Sequence, residues 1–429
     1  METGFAASQS KRHEALPQPP IGIEQLDIPI PLVTDLIVRR LNLDGAASLG
    51  QLRRQLKLSN QIVEGICRHL MKQQLAENRG MAGEDYVFGL TAAGRQLAVD
   101  RMRVCHYAGP APVSLQAYEA VVARQKWTPA LDRGKLEATF DDLVVSSRFL
   151  DRLGPALMGQ KSLFLFGPTG NGKTSIAERV SRIYDDTVLV PYAVEVDNQV
   201  IVLFDPIVHR PTGASPEGLD PRYVVCRRPT VIVGGELTAE LLDLRIDAIS
   251  NIYAAPLQMK ANNGVLVIDD FGRQMLPAQQ LLNRWIVPLD RGVDYLSLNY
   301  GVKFQIPFAM MVVFATNIEP RALADDAFLR RLPNKIYVGP PSRDEFLEIF
   351  QRLAAKRELL FEPDIPHLLA DLCLHRGRTV PSACHAIDIC DIVVRIQDYE
   401  GRPHVITHSD LERAIELYFA DAAQNPEAV

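Results

Sequence analysis

The feature that most limits what this chain can fold into is the run Leu163-Phe-Leu-Phe166-Gly167-Pro168-Thr169-Gly170-Asn171-Gly172-Lys173-Thr174-Ser175. Its unbroken apolar start reads as a buried strand, and the residues after Lys173 read as an amphipathic helix. Between them stands GxxxxGK[ST], a motif that carries meaning only in this strand–loop–helix setting. Its glycines let backbone N–H groups wrap an anion, and the helix N-terminus adds a favourable field. Gly167 to Ser175 then cradle the phosphates of a nucleotide. Lys173 neutralises the β- and γ-phosphates, and the Thr174 hydroxyl ligates Mg²⁺. A chance Gly-rich turn rarely comes with both flanking elements in place.

Two further apolar runs end in polar side chains. Val265-Leu-Val-Ile268 runs into Asp269 and Asp270, and Met310 to Thr316 runs into Asn317. In an open α/β sheet, ligands sit outside the carboxyl ends of the strands, which is where these groups fall. Asp269 is the candidate to hold the hydrated metal, and Asp270 the candidate to orient or activate an attacking water. Taken alone, the acidic pair is also what a strand ending in a solvated turn looks like. Asn317 is placed to hydrogen-bond that water or the γ-phosphate. Arg330 and Arg331 follow on a short helical stretch, and cations there suit charge on a transferred phosphoryl group.

The wider pattern divides the chain. Residues 1–30 are polar and Pro-rich and read as a disordered tail. Residues 31–104 run helix, helix, turn, helix, hairpin, helix, with Ser48 as a cap and Ile62, Ile66 and Leu70 on one face. That order resembles a winged helix-turn-helix. Residues 105–137 are punctuated by Pro and Gly and read as a linker. Residues 138–340 alternate apolar strands and helices, the mark of a doubly wound α/β core. The strands expected there are Ser162–Phe166, Thr187–Val190, Val231–Val233, Val265–Asp269 and Met310–Thr316. A hairpin insertion near 185–230 turns at Asp197-Asn198; it is either a surface for a partner or an extension of the core. Residues 341–429 are helical and read as a lid.

The phosphate loop, the acidic strand end, Asn317 and the arginine pair, in this order, resemble the AAA+ ATPases over roughly residues 138–425. GPTGNGKT looks like Walker A, VLVIDD like Walker B, FATN like sensor 1 and AFLRRL like the arginine-finger segment. The resemblance implies ATP hydrolysis with Mg²⁺ in a homo-oligomeric ring, commonly a hexamer, where Arg330 and Arg331 reach a neighbouring subunit's ATP. It also implies that Asp142 in DDLVV lines the adenine site. Arg378 is the best candidate for sensor 2. Two departures stand out: Asp270 replaces the Glu of many members, and the stretch HRGRTVPSACHAIDIC has no clear arginine inside the lid helix that begins there. RRPTVIVGGELT, YAAPLQMKANNGVLVIDDFGRQ and LLNRWIVPLDRGVDYL further resemble a bacterial group of ATPases described as chaperone-like and linked with Flp pilus assembly. The implied work is remodelling of a macromolecular partner whose identity the resemblance does not supply. The alternative is a slowly hydrolysing nucleotide switch.

Composition narrows the partners. The net charge is -6 over 429 residues, so bulk electrostatics do not draw this chain to polyanions. Residues 31–104 are locally basic, with 11 Lys and Arg against 7 Asp and Glu. On the candidate recognition helix, Asn60, Gln61, Arg68, His69 and Lys72 could meet DNA, opposed by Glu64, and Arg79 on the wing could enter a minor groove. Protein docking is the other use of such a unit. No run is long and apolar enough to span a membrane, no secretory leader is legible, and six scattered cysteines fit reduced thiols in the cytoplasm. Cys373, His375, Cys384, His385 and Cys390 gather in the lid, where a packed core is the expectation over a zinc site.

Overall fold

The computed structural model describes residues 16–126, 131–213, 215–323, 329–375 and 380–419. At its centre lie five parallel strands: β1 (Leu163–Phe166), β2 (Thr230–Val233), β3 (Val265–Ile268), β4 (Met311–Thr316) and β5 (Asn334–Tyr337). Across the sheet the order is β2-β3-β4-β1-β5, every pair in parallel register. The inner strands are apolar up to Thr316 at the end of β4 because helices cover both faces of the sheet. Strand alternation sends Leu163, Leu165, Val267 and Val313 against the helices Arg133–Thr139, Ser147–Met158 and Lys173–Val180. It sends Phe164, Leu266, Ile268 and Phe314 the other way, against Trp285 on the helix Ala278–Arg291. This is a doubly wound α/β core. The direction of winding reverses beside β1, so a crevice opens at the carboxyl ends of β1 and β4.

The strand expectations change in two places. Thr187–Pro191 is a strand, but it pairs antiparallel with Tyr223–Arg227 outside the central sheet. The fifth central strand is instead Asn334-Lys-Ile-Tyr337, which pairs with β1 on one side only. An edge strand needs only one apolar face against the core, and Ile336 alone supplies it here.

The segment ahead of the core is not a tether. Helices Ile30–Asp44, Leu49–Leu56, Asn60–Lys72 and Ala92–Val104 surround a sheet of order Ala46–Ser48, Asp85–Leu90, Ala76–Ala82. Ser48, Ser59 and Thr91 cap the last three of these helices through their hydroxyls. Past Val104, where a linker is expected, Cys105, Tyr107 and Ala111 are buried in this unit's core. Val113–Ser114 then joins a second five-stranded sheet with Ala193–Val196, Gln199–Val202, Tyr253–Ala254 and Arg245–Ile246. The hairpin Ala193–Val202 turns on Asp197 and Asn198 at φ 50° and 62°, as a two-residue primed turn requires. Its strands are largely buried, with Ala193 and Val200 filling the core of the N-terminal unit and Val194 and Ile201 a second core, while the turn itself is exposed. It is an extension of the fold rather than a free surface.

The disordered tail expected over 1–30 is described only from Leu16, and from there it is bonded. Ser59 Oγ donates to Ile21 O at 2.6 Å, and Asp220 N donates to Pro17 O at 2.9 Å. The Asp27 carboxylate receives the buried Arg222 guanidinium and the Ser114 N–H. Burying an arginine requires such partners, and the tail supplies one of them.

The C-terminal region packs helices Arg343–Lys356, Ile365–His375, Ala383–Glu400 and His408–Tyr418 around Phe346, Phe350, Cys373, Ile389 and Leu411. Cys373 and Cys390 are core thiols, pushed up to about 12 by burial. Among the described residues, the metal-ligand grouping is Glu362, Asp364 and His408, all exposed, not the cysteine–histidine set.

Candidate phosphate-binding site

The loop between β1 and the helix Lys173–Val180 takes a shape only glycine tolerates. Gly167, Gly170 and Gly172 have φ of 142°, 78° and 79°. A Cβ on Gly167 would lie 2.3 Å from Val338 O, and one on Gly170 would lie 2.3 Å from Cys384 Sγ. Gly172 caps the helix in the left-handed region, with open space where a Cβ would sit and no side-chain hydrogen bond capping the helix.

Lys173 is buried and its ammonium donates to Gly167 O at 3.0 Å and Pro168 O at 2.8 Å. Burial pulls its pKa below the ordinary lysine value, opposed by the charges of Asp269 and Asp270. Thr174 Oγ1 donates to Asp269 Oδ2 at 2.8 Å. That bond joins the end of β3 to the loop after β1, across the intervening β4. Asp269 is fixed by its own backbone, since its N–H bonds to Val233 O and its carbonyl accepts from Gln274 Nε2. Asp270 follows, exposed, at φ 47°, a left-handed value that aspartate adopts more readily than most residues.

At the end of β4, Thr316 is fully buried and its hydroxyl donates to Phe271 O at 2.6 Å. Asn317 comes next, half-buried, and its side-chain carbonyl is buried without a hydrogen-bond partner. Asn171 Oδ1 in the loop is orphaned in the same way. Two unpaired polar atoms at one sheet edge are costly unless something polar meets them. The cradle, the lysine, the Thr–Asp pair and the orphaned amides therefore fit a Mg²⁺–nucleotide phosphate group.

Other expected site residues lie elsewhere. Arg330 and Arg331 precede β5, whose first residue Asn334 sits opposite Leu163 at the start of β1. They occupy the sheet's amino edge, and the loop lies at its carboxyl edge. Arg331 pairs with Asp290 at 2.7 Å, and its carbonyl accepts from Ser162 Oγ. Arg330 is exposed. Asp142 spends its carboxylate on Arg179 and Arg182, so its side chain is a brace for the loop's helix. Arg378 lies outside the described residues. On the N-terminal unit, Asn60, Gln61, Arg68, His69 and Lys72 are exposed on one helix, with Arg68 paired to Glu64. Arg79 folds back, with Glu77, Gly45 O and Leu90 O around its guanidinium. Arg79 therefore stays exposed but lies against the unit's own backbone.

The sequence reading missed Ser382 and Cys384 as neighbours of the loop. Cys384 N donates to Gly170 O at 2.9 Å. The local signal was only a helix whose first turns, Ala383 to Cys390, hold no arginine.

Residues 342–417 match a family described as a domain of unknown function (DUF8689). No curated protein matches the chain. Among solved structures the chain is similar to a RuvB mutant from Thermotoga maritima, with 14% identity, 66% of this chain and 73% of that chain covered, and a TM-score of 0.41. The structure titled as the Thermotoga maritima RuvB Holliday junction branch migration motor gives 13%, 68%, 72% and 0.36. A further RuvB mutant of that organism gives 12%, 70%, 74% and 0.39.

Proposed function

We propose that the chain is an ATP-hydrolysing enzyme of the AAA+ type that remodels a macromolecular partner. The observation that supports this reading is the 2.8 Å bond from Thr174 to Asp269, which joins the two candidate metal ligands beside the glycine loop. A bound Mg²⁺–ATP would supply the phosphoryl electrophile. Backbone N–H groups of residues 169–174 and the N-terminal field of the helix would hold its phosphates, and Lys173 matches their charge. Thr174 and Asp269 would hold the metal. Asp270, at the rim, orients a water for in-line attack and takes its proton, and Asn317 offers that water a polar contact.

The arginines complete the site only between subunits. On this chain they stand at the opposite sheet edge from the loop, so the nucleotide they serve belongs to a neighbouring copy. Arg330 is the better finger, because Arg331 is already engaged with Asp290. This supports a homo-oligomeric ring. The N-terminal unit, with its helix–strand–helix–helix–hairpin order, reads as a winged helix that recruits the partner. A protein partner suits it better than DNA, given the folded-back Arg79 and the Arg68–Glu64 pair. The resemblance to the Flp-linked group makes a pilus-assembly component one such partner. No helix among the described residues is long and apolar enough to cross a membrane, which is compatible with work in the cytoplasm.

A second reading, a slowly hydrolysing switch, draws on Asp270, a short and exposed acid. Steady-state ATP turnover across a protein concentration series separates the two. Turnover that rises with concentration and is lost in Asp270→Asn supports the ring enzyme. ATP binding with turnover no greater than that of Asp270→Asn would leave the switch.

A further inference from the structure

We propose that Cys384 is the residue through which the helical lid grips the phosphate loop, linking nucleotide binding to lid position at a single thiol. This rests on the nucleotide reading above. Cys384 is the second residue of the helix Ala383–Glu400. Its N–H donates to Gly170 O at 2.9 Å, and its Sγ occupies the space a Cβ on Gly170 would need, 2.3 Å away. Ser382 Oγ is 3.1 Å from that same point. Gly170 is thus a glycine for two reasons: its positive φ, and the thiol lying where its side chain would be.

The lid meets the loop twice. The chain leaves β5 for the lid through Val338, whose carbonyl crowds Gly167 in the same manner. It returns through Ser382 and Cys384 onto Gly170. The loop is therefore held between the lid's exit and its returning tip. Behind the thiol, Ser382 Oγ lies at 3.2 Å and Tyr418 OH at 3.9 Å, and Tyr418 OH donates to Asp388 Oδ2 at 3.1 Å. The Ser382 N–H bonds to His385 Nδ1, which fixes the first turn. Motion of Gly170 is felt by two lid helices, Ala383–Glu400 and His408–Tyr418. Phosphates take the N–H groups of the loop, and the lid takes the Gly170 carbonyl. The two ligands share one short backbone, so each sets the geometry the other meets.

Cys384 is also chemically addressable. It is half-buried, and the other five cysteines are buried. Iodoacetamide added to the native full-length protein will therefore report on this thiol, with its labelling rate followed by peptide mass spectrometry. The probes are a non-hydrolysable ATP analogue with Mg²⁺ and, in parallel, a fluorescent nucleotide for affinity. Saturating analogue is expected to change the Cys384 labelling rate by about tenfold, the scale of an ordinary coupling between two sites. Protein alkylated beforehand should bind nucleotide about tenfold more weakly, whereas the affinity of Cys384→Ser should not respond to the reagent. A labelling rate the same within about twofold, in protein that demonstrably binds the nucleotide, overturns the link and leaves the ATPase reading standing. Protein that binds no nucleotide at all overturns the ATPase reading first, and the link with it.

Discussion

The two edges of the central sheet are built from similar residues and treated in opposite ways. At the amino edge, polar groups are spent on the fold: Ser162 Oγ on Arg331 O, Asn334 Nδ2 on Ala156 O and Ser162 O, and Arg331 on Asp290. At the carboxyl edge, Asn171 and Asn317 keep buried carbonyl oxygens unpaired, and Lys173 is desolvated beside two carboxylates. A satisfied edge contributes stability, whereas an edge that leaves polar groups unmatched is stabilised by what it binds. The same residue type, asparagine, thus has opposite meanings at Asn334 and Asn317.

The comparison breaks most visibly in hydrolysis. Lys173→Ala and Arg330→Ala should each cut ATP turnover about a thousandfold or more, the first by losing nucleotide, the second with binding intact. Mixing the two variants should restore turnover, because one subunit then supplies an intact loop and its neighbour an intact arginine. Arg330→Ala turning over at the wild-type rate would leave the amino edge purely structural and end the reading in which its arginine serves a neighbouring copy. Asp270→Asn and Asn317→Ala should lower turnover about a hundredfold while the urea midpoint holds for the exposed Asp270 and holds or rises for Asn317, whose orphaned carbonyl costs the fold. Asn334→Ala should do the reverse, losing about 1 kcal/mol in urea unfolding with turnover per folded molecule unchanged. Stability loss at Asn317 matching that at Asn334 would show both edges to be structural.

The smallest effect concerns pH in the C-terminal helical region. Burial raises the Asp410 carboxyl, but hydrogen bonds from Arg402, Gln397 and Thr407 outweigh it and hold the group down at about 2. A depressed carboxylate stabilises the fold fully above its unfolded value of 3.8, and that contribution is lost as pH falls from there through about 2. Thermal melts of the wild type should show this loss between those limits, and Asp410→Asn should flatten it.

How far the sequence could be read follows from how local each signal is. Gly167 to Thr174 form one contiguous device, and Asp269, Asp270 and Asn317 each end an apolar run, so their shared edge was legible. β5 was not, because Asn-Lys-Ile-Tyr carries one inward apolar residue and no periodicity. Thr187–Pro191 was legible as a strand but not as belonging to another sheet, since β-branched residues declare a strand and say nothing of its partner. Residues 16–29 looked like a tail because Asp27 finds its reason in Arg222, far along the chain. The Gly170–Cys384 contact has the same character: a close approach between distant segments leaves no trace in either one.

The hairpin Ala193–Val202 carries one more lesson, about evolution and engineering. Two of its residues, Ala193 and Val200, complete a hydrophobic interior whose other members come from the first 111 residues. A domain that borrows part of its interior from a later stretch of chain cannot be shuffled, excised or grafted as a cassette. Cutting after the Ala92–Val104 helix would open a hole in the piece released and bare a greasy ribbon on the piece left behind. Recombination that respects this architecture must move both stretches together, so the N-terminal unit and the α/β core are expected to be inherited as a pair.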